Sequence, residues 1–218
     1  MIEYNIISTG SKGNAVVINR TILIDCGVPF RALKDVYRRL QLVLLTHGHG
    51  DHFMRSTIRK LAQERPALRW ACRDWLVAPL LECGVNPNKI DVLRSREGIC
   101  YGTGEPAIES VDLPHNVPNC GWKVILPRGE RMFYATDTNR LDGVEARNYD
   151  LYMVEANYDE AEIVERIRCK EESGEHCYEW DVMQNHLSRQ KSDDWLYQNM
   201  GPKSRYVYLH GHVEDDDA

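Results

Sequence analysis

A layered α/β fold, with sheet inside and helices outside, is predicted for this chain by three observations. Short β-rich runs come first and then alternate with helical segments, and both halves of the chain have this character. Leu42 to Leu45 is a continuous apolar run, as expected of a strand buried on both faces. The chain has 218 residues, 43% of them hydrophobic and 28% charged, which is enough for a sizeable core and is ordinary globular composition. No linker-like or low-complexity segment interrupts it, so residues 1–218 are expected to form one domain.

The elements follow in order. Glu3 to Ile7 and Ala15 to Asn19 read as strands joined by Ser8-Thr9-Gly10-Ser11-Lys12-Gly13-Asn14, whose glycines supply the positive φ of a tight loop. Thr21 to Ile24 is a third strand, ending at Asp25-Cys26-Gly27. Pro29 sits where a helix can start, and Leu33, Val36, Tyr37 and Leu40 recur at helical spacing, predicting a helix there. The strand Leu42 to Leu45 ends at Thr46-His47. Arg55 to Glu64 has helical character with a basic face. Ala107 to Leu113, Trp122 to Leu126, Arg131 to Ala135 and Leu151 to Val154 read as strands. Asp159 to Lys170 is an amphipathic helix with Ile163, Val164 and Ile167 on its apolar stripe. A further helix over about Leu187 to Gln198 precedes a last strand, Tyr206 to Leu209.

Lys and Arg total 27 and Asp and Glu 33, a net charge of −6, which excludes a uniformly basic nucleic-acid coat. The charge is unevenly spread. Arg31 to Arg73 holds ten basic and three acidic residues, whereas Asp142 to Asp181 holds four basic and thirteen acidic. Glu214, Asp215, Asp216 and Asp217 add to the acidic end. Solvated helix faces account for most such runs, and a basic side that meets an anionic substrate is the sharper reading. No apolar run reaches membrane-spanning length, and the start of the chain does not read as a signal peptide. Seven Cys, with no Cys-x-x-Cys spacing, read as reduced thiols of a cytoplasmic protein.

The chemistry is concentrated at strand ends. Thr46-His47-Gly48-His49-Gly50-Asp51-His52 places three His and one Asp within six residues, directly after the buried apolar strand. Imidazole and carboxylate are ligands for zinc and similar divalent ions. Gly48 and Gly50 are expected to let the backbone turn so that alternate side chains converge. Four such groups in one loop suit two adjacent metal ions, zinc or manganese.

This His47-x-His49-x-Asp51-His52 run resembles the signature of the metallo-β-lactamase superfamily, hydrolases with a four-layer αββα sandwich and one or two metals. The resemblance continues in Asp25, His115, Asp137 and His210, each after a strand and in the family's order. It implies that His47, His49 and His115 hold a first metal, that Asp51, His52 and His210 hold a second, and that Asp137 bridges both. Asp25 would orient ligands from behind. His212 lies two residues from His210 and competes for that assignment. Phe53-Met54-Arg55-Ser56 lacks the Gly that many members carry soon after the motif.

Three segments resemble the WalJ (YycJ)-type branch of that superfamily, described as exonucleases. They are Gly10-Ser11-Lys12-Gly13-Asn14, Val154-Glu155-Ala156-Asn157-Tyr158-Asp159 and Asn185-His186-Leu187-Ser188. The implied activity is hydrolysis of a phosphodiester in nucleic acid or a nucleotide. Asp51 would position or deprotonate the attacking water, and His186 would donate a proton to the leaving alkoxide. His186 reads equally well as a structural histidine at a helix start. Glu155 and Asn157 read as structural or supporting residues, and Cys120 as a buried bystander. Competing readings are a cyclic-nucleotide or other small-molecule phosphodiesterase, an ester, thioester or lactone hydrolase, and a non-catalytic metal-binding module. No membrane partner is expected, and the oligomeric state is open, a dimer included.

Overall fold

Alternation along each central strand decides the layering. In the computed structural model, which describes residues 1–211, β1 (Tyr4–Ser8), β2 (Ala15–Ile18), β3 (Ile22–Ile24), β4 (Leu42–Leu44), β5 (Arg69–Cys72) and β6 (Ile90–Val92) form one sheet in that order. β7 (Gly98–Cys100), β8 (Ala107–Leu113), β9 (Asn119–Ile125), β10 (Arg131–Ala135), β11 (Leu151–Glu155) and β12 (Arg205–Leu209) form the second, in the order β12-β11-β10-β9-β8-β7. In the first sheet β1 to β3 are antiparallel and β3 to β6 parallel. In the second β7 to β10 are antiparallel and β10 to β12 parallel.

Val16, Ile18, Leu42 and Leu44 face Trp122, Val124, Met132, Tyr134, Leu151 and Met153 in a core between the sheets. Their neighbours Ala15, Val17, Val43 and Leu45 face outward against α1 (Arg55–Glu64) and α2 (Val77–Glu82). On the other sheet Phe133, Ala135, Tyr152 and Val154 face outward against Leu187, Trp195 and Leu196. α5 (Arg189–Asn199) supplies the outer layer there, and α3 (Glu160–Ser173) and α4 (Glu179–Asn185) pack on each other through Ile163, Ile167, Val182 and Met183. With apolar contacts on both faces, the run from Leu42 to Leu45 has no polar side to show, and the layers stack as an αββα sandwich. No helix among the described residues is long and apolar enough to cross a membrane.

One expected helix is absent. Pro29 to Leu40 forms two 3-10 turns, Phe30–Leu33 and Tyr37–Arg39, instead of one α-helix. No side chain caps either turn, and the backbone closes with i to i+3 bonds, Val36 N to Leu33 O and Leu40 N to Tyr37 O among them. The chain must then bring Gln41 beside Thr21, where its N–H donates at 2.8 Å to start β4.

Half of the ten basic residues from Arg31 to Arg73 are tied up in the fold, while Arg31, Lys34, Arg38, Arg39 and Arg59 are exposed. Arg55 pairs with Glu82, Lys60 with Glu64, Arg69 with Asp91 and Arg73 with Asp112. Arg65 donates to the carbonyls of Tyr37, Arg38 and Leu40, so it fastens the 3-10 turns. The acidic residues Glu214, Asp215, Asp216 and Asp217, with His212, lie outside the described residues.

Candidate metal centre

Seven loops leave the sandwich at one end, and each carries a polar side chain to the same place. β1 leads into Gly10–Asn14, β3 into Asp25, β4 into His47–His52, β8 into His115, β10 into Asp137, β11 into Glu155 and Asn157, and β12 into His210. His186 arrives from the segment between α4 and α5.

The structure gathers all of the expected ligands. His47, His49 and His115 form one group able to hold a metal, and Asp51, His52 and His210 form a second. Asp137 joins His47 and His52 in a third group, and joins Glu155, His186 and His210 in a fourth. His47 Nε2 lies 3.2 Å from His49 Nδ1, which lies 3.4 Å from His115 Nε2. Asp137 Oδ2 is 3.0 Å from His52 Nε2, and Asp137 Oδ1 is 3.5 Å from His210 Nε2. Both of these partners belong to the second group, and Asp137 reaches the first through His47, with which it shares the third group.

The donor chemistry fits divalent cations. A histidine that ligates through one nitrogen needs the other held. His47 Nδ1 lies 3.0 Å from Thr46 Oγ1, His52 Nδ1 lies 2.7 Å from Asp25 Oδ2, and His115 Nδ1 lies 3.2 Å from the Asn185 carbonyl. In all three rings Nε2 is left facing the cluster. Two buried atoms there, Asp137 Oδ2 and His210 Nε2, make no well-aligned hydrogen bond, although Asp137 Oδ2 lies 3.0 Å from His52 Nε2. Buried polar atoms rarely go unpaired, and convergent orphans of this kind are what a cation would satisfy.

The electrostatics differ from ring to ring. Burial, then the nearby His52, pushes the His47 imidazole down to about 2, so it stays neutral and able to ligate. His52 moves the opposite way: burial disfavours its cation, but Asp137 and Asp25 together outweigh burial and raise it well above the ordinary range. Burial opposes ionisation of Asp137, yet His52 and His210 hold it well below the usual carboxylate range. Opposed shifts within one cluster are typical of a working polar site.

Asp25 lies beneath the cluster. It is fully buried, and Oδ1 accepts from both Thr46 N and Thr46 Oγ1 at 2.9 Å while Oδ2 faces His52. The glycines of the motif behave differently from expectation. Neither Gly48 nor Gly50 has a positive φ, and a Cβ at Gly50 would meet nothing within 4 Å. The glycine the loop does require is Gly27, where a Cβ would lie 1.6 Å from the Asp51 carbonyl oxygen. Around that contact Asn14 N donates to Asp51 O at 2.6 Å, Cys26 N to His52 O at 2.8 Å and Gly27 N to Asn14 O at 2.9 Å. Three loops are thereby laced together beneath the ligands.

Two residues carry more than their sequence reading assigned. Glu155 is fully buried and points Oε1 at His186 Nδ1, 2.6 Å away, and at His210 Nδ1, 3.3 Å away. Its Oε2 accepts from Thr138 N at 2.9 Å. Asn157 donates to the His210 carbonyl at 2.8 Å. Their Glu-x-Asn spacing after a buried strand was the available signal. His186 stands at the edge of the cluster, its ring stacked on His210 with centroids 5.0 Å apart. Cys120 is fully buried beneath the metal loop, donating to the Thr46 carbonyl, and belongs to no ligand group.

Comparison with known proteins agrees with this architecture. Residues 20–188 match the family described as "Beta-lactamase superfamily domain". No curated protein matches the sequence. Among solved structures, the fold is similar to the metallo-beta-lactamase fold protein YhfI from Bacillus subtilis, at 15% identity and a TM-score of 0.71, covering 99% of this chain and 89% of that one. It is similar to human tRNase Z, short form, at 16% identity and a TM-score of 0.66, covering 97% and 92%. It is also similar to a diphosphatase from the PhnP family, at 14% identity and a TM-score of 0.65, covering 97% and 87%.

Proposed function

From the premise that the chain belongs to the beta-lactamase superfamily, we propose that it is a two-metal phosphodiesterase that cleaves nucleic acid. His47, His49 and His115 would hold one ion, Asp51, His52 and His210 the other, and Asp137 would bridge them. Bound there, two divalent ions would lower the pKa of water toward neutrality and offset charge on a phosphate.

The observation that carries the phosphodiester reading is the 2.6 Å contact between Glu155 Oε1 and His186 Nδ1. A buried carboxylate on Nδ1 orients the imidazole and leaves Nε2 as the nitrogen for proton transfer. An alkoxide leaving group, as in nucleic acid, needs such a proton, whereas a thiolate does not. Asp51 has a side chain 28% exposed, unlike the buried Asp137. It is thus the carboxylate with access to an attacking water and would orient that water and take its proton. Two of the similar folds carry names for related bond classes, a tRNase and a diphosphatase.

Gly10–Asn14, 154–159 and 185–188 support membership of the WalJ (YycJ)-type branch, with exonuclease action. Seven free cysteines support a cytoplasmic location. The test is hydrolysis of bis-p-nitrophenyl phosphate and of single- and double-stranded DNA by protein loaded with zinc or manganese. Asp51→Ala should abolish turnover with the fold retained. Loaded protein inert toward every phosphodiester but active on thioesters or lactones would overturn the reading.

A further inference from the structure

We propose that Asn119 and Asn157 are positioning residues for the metal pair, Asn119 holding the bridging Asp137 and Asn157 holding His210 of the second metal. The inference rests on the two-metal reading above. Asp137 and His210 are the two candidate ligands with left-handed backbones, at φ 56° and φ 54°. Non-glycine residues adopt that region only when their surroundings hold them there. Each ligand follows the last residue of its strand by one or two positions, and each is held by an asparagine from the neighbouring strand. Asn119 opens β9, beside the end of β10, and its Nδ2 donates to the carbonyls of Thr136 at 3.0 Å and Asp137 at 2.7 Å. Asn157 lies just past β11, beside the end of β12, and its Nδ2 donates to the His210 carbonyl at 2.8 Å and lies 3.1 Å from His210 Nδ1.

The two asparagines share a second property. Both are more than nine-tenths buried, and in both Oδ1 has no hydrogen-bond partner. Turning either amide over would set its oxygen against a carbonyl oxygen, so the donor end is the end in use. A buried unpaired oxygen is a cost that leucine, with a similar shape, would avoid. Packing therefore does not account for asparagine at either position, whereas capture of the ligand's carbonyl does. Neither asparagine touches His47, His49 or His115, so the first metal's three imidazoles stand without them.

The experiment is zinc titration of metal-free protein by competition with a chromophoric chelator, beside thermal melting. Parent protein should take up two equivalents. Asn157→Leu should keep one tight equivalent and weaken the other by about 10- to 100-fold, and Asn119→Leu, which frees the bridging ligand, should weaken both. Asn119→Ser and Asn157→Ser, too short to reach the carbonyls, should do the same and serve if a leucine variant fails to fold. The control is Asn199→Leu. Asn199 is equally buried and fully bonded, to Ala146 and Trp195, and touches no candidate ligand. It should lower the melting temperature and leave both equivalents tight. Two tight equivalents in either leucine variant, or parallel loss of both in Asn157→Leu, would overturn the proposal. Parent protein that takes up fewer than two equivalents would overturn the two-metal reading, and this inference with it.

Discussion

Glu155 and His186 meet at 2.6 Å across 31 residues of sequence, with the carboxylate fully buried and the imidazole at the rim of the candidate metal centre. A histidine held in this way can give up a proton only from Nε2. Its importance should then scale with the basicity of the leaving group. His186→Ala and Glu155→Gln should lower kcat/KM on DNA, an alkoxide leaver, by about 10²–10⁴-fold. On bis-p-nitrophenyl phosphate, whose phenolate leaves unaided, the loss should be below about tenfold. Equal losses on both substrates in a steady-state comparison would place His186 outside proton transfer.

Gly27 and Asp51 touch so closely that one methyl group decides the position of the metal loop. Gly27→Ala would force the Asp51 carbonyl away and should destabilise the protein by about 1–3 kcal/mol while lowering metal uptake. Gly50→Ala meets open space and should stay within about 0.5 kcal/mol of the parent. Urea melts of the two variants, each with and without zinc, check the contrast.

Asp25 satisfies three groups in a fully buried setting, Thr46 N, Thr46 Oγ1 and His52 Nδ1. Its removal leaves all three without an acceptor. Asp25→Ala should cost about 3–5 kcal/mol and loosen the metal bound through His52. Asp25→Asn, which keeps the shape, should fold better than Asp25→Ala and still bind zinc more weakly than the parent. Chelator competition at a temperature where both variants are folded reads this directly.

Alkaline pH should weaken the fold through its buried thiols. Burial, assisted by Asp91 and Asp74, pushes the Cys72 thiol up to about 12, and burial raises Cys120 as well. A thiol held neutral in the folded state but free to ionise when unfolded contributes stability below the ordinary cysteine pKa. That stability falls as pH rises through the window from about 8.5 to the folded value. Melting temperatures from pH 7 to pH 10 should therefore decline at the alkaline end, and Cys72→Ala should flatten the decline. Cys100 and Cys169 are exposed and should react with a thiol reagent in the native state, ahead of the four buried cysteines.

Legibility differed between parts of the molecule for reasons that particular residues display. Helix α1 was readable to the residue, because the periodicity of Thr57, Ile58 and Leu61 lies within one turn-to-turn repeat. β8 and β10 were equally clear. The segment from Pro29 to Leu40 showed the same apolar spacing, yet it forms 3-10 turns, because the pairing of Gln41 with Thr21 sets where it must end. β5, β6 and β7 escaped notice, being short strands with charged or polar residues among them, such as Arg69 and Asp91.

His47, His49, Asp51 and His52 were legible as a metal motif because their proximity is covalent: six residues of chain keep them together in any fold. Asp25, His115, Asp137 and His210 were legible through their order in a family resemblance, and His210 alone of the pair with His212 falls among the described residues. The positions of the donors in space were decided only by the tertiary structure. Glu155 meets His186, Asn119 meets Asp137 and Asn157 meets His210 across 31, 18 and 53 residues. No local pattern encodes such contacts. They exist because two sheets, packed by alternating apolar side chains, bring the same ends of distant strands into one polar pocket.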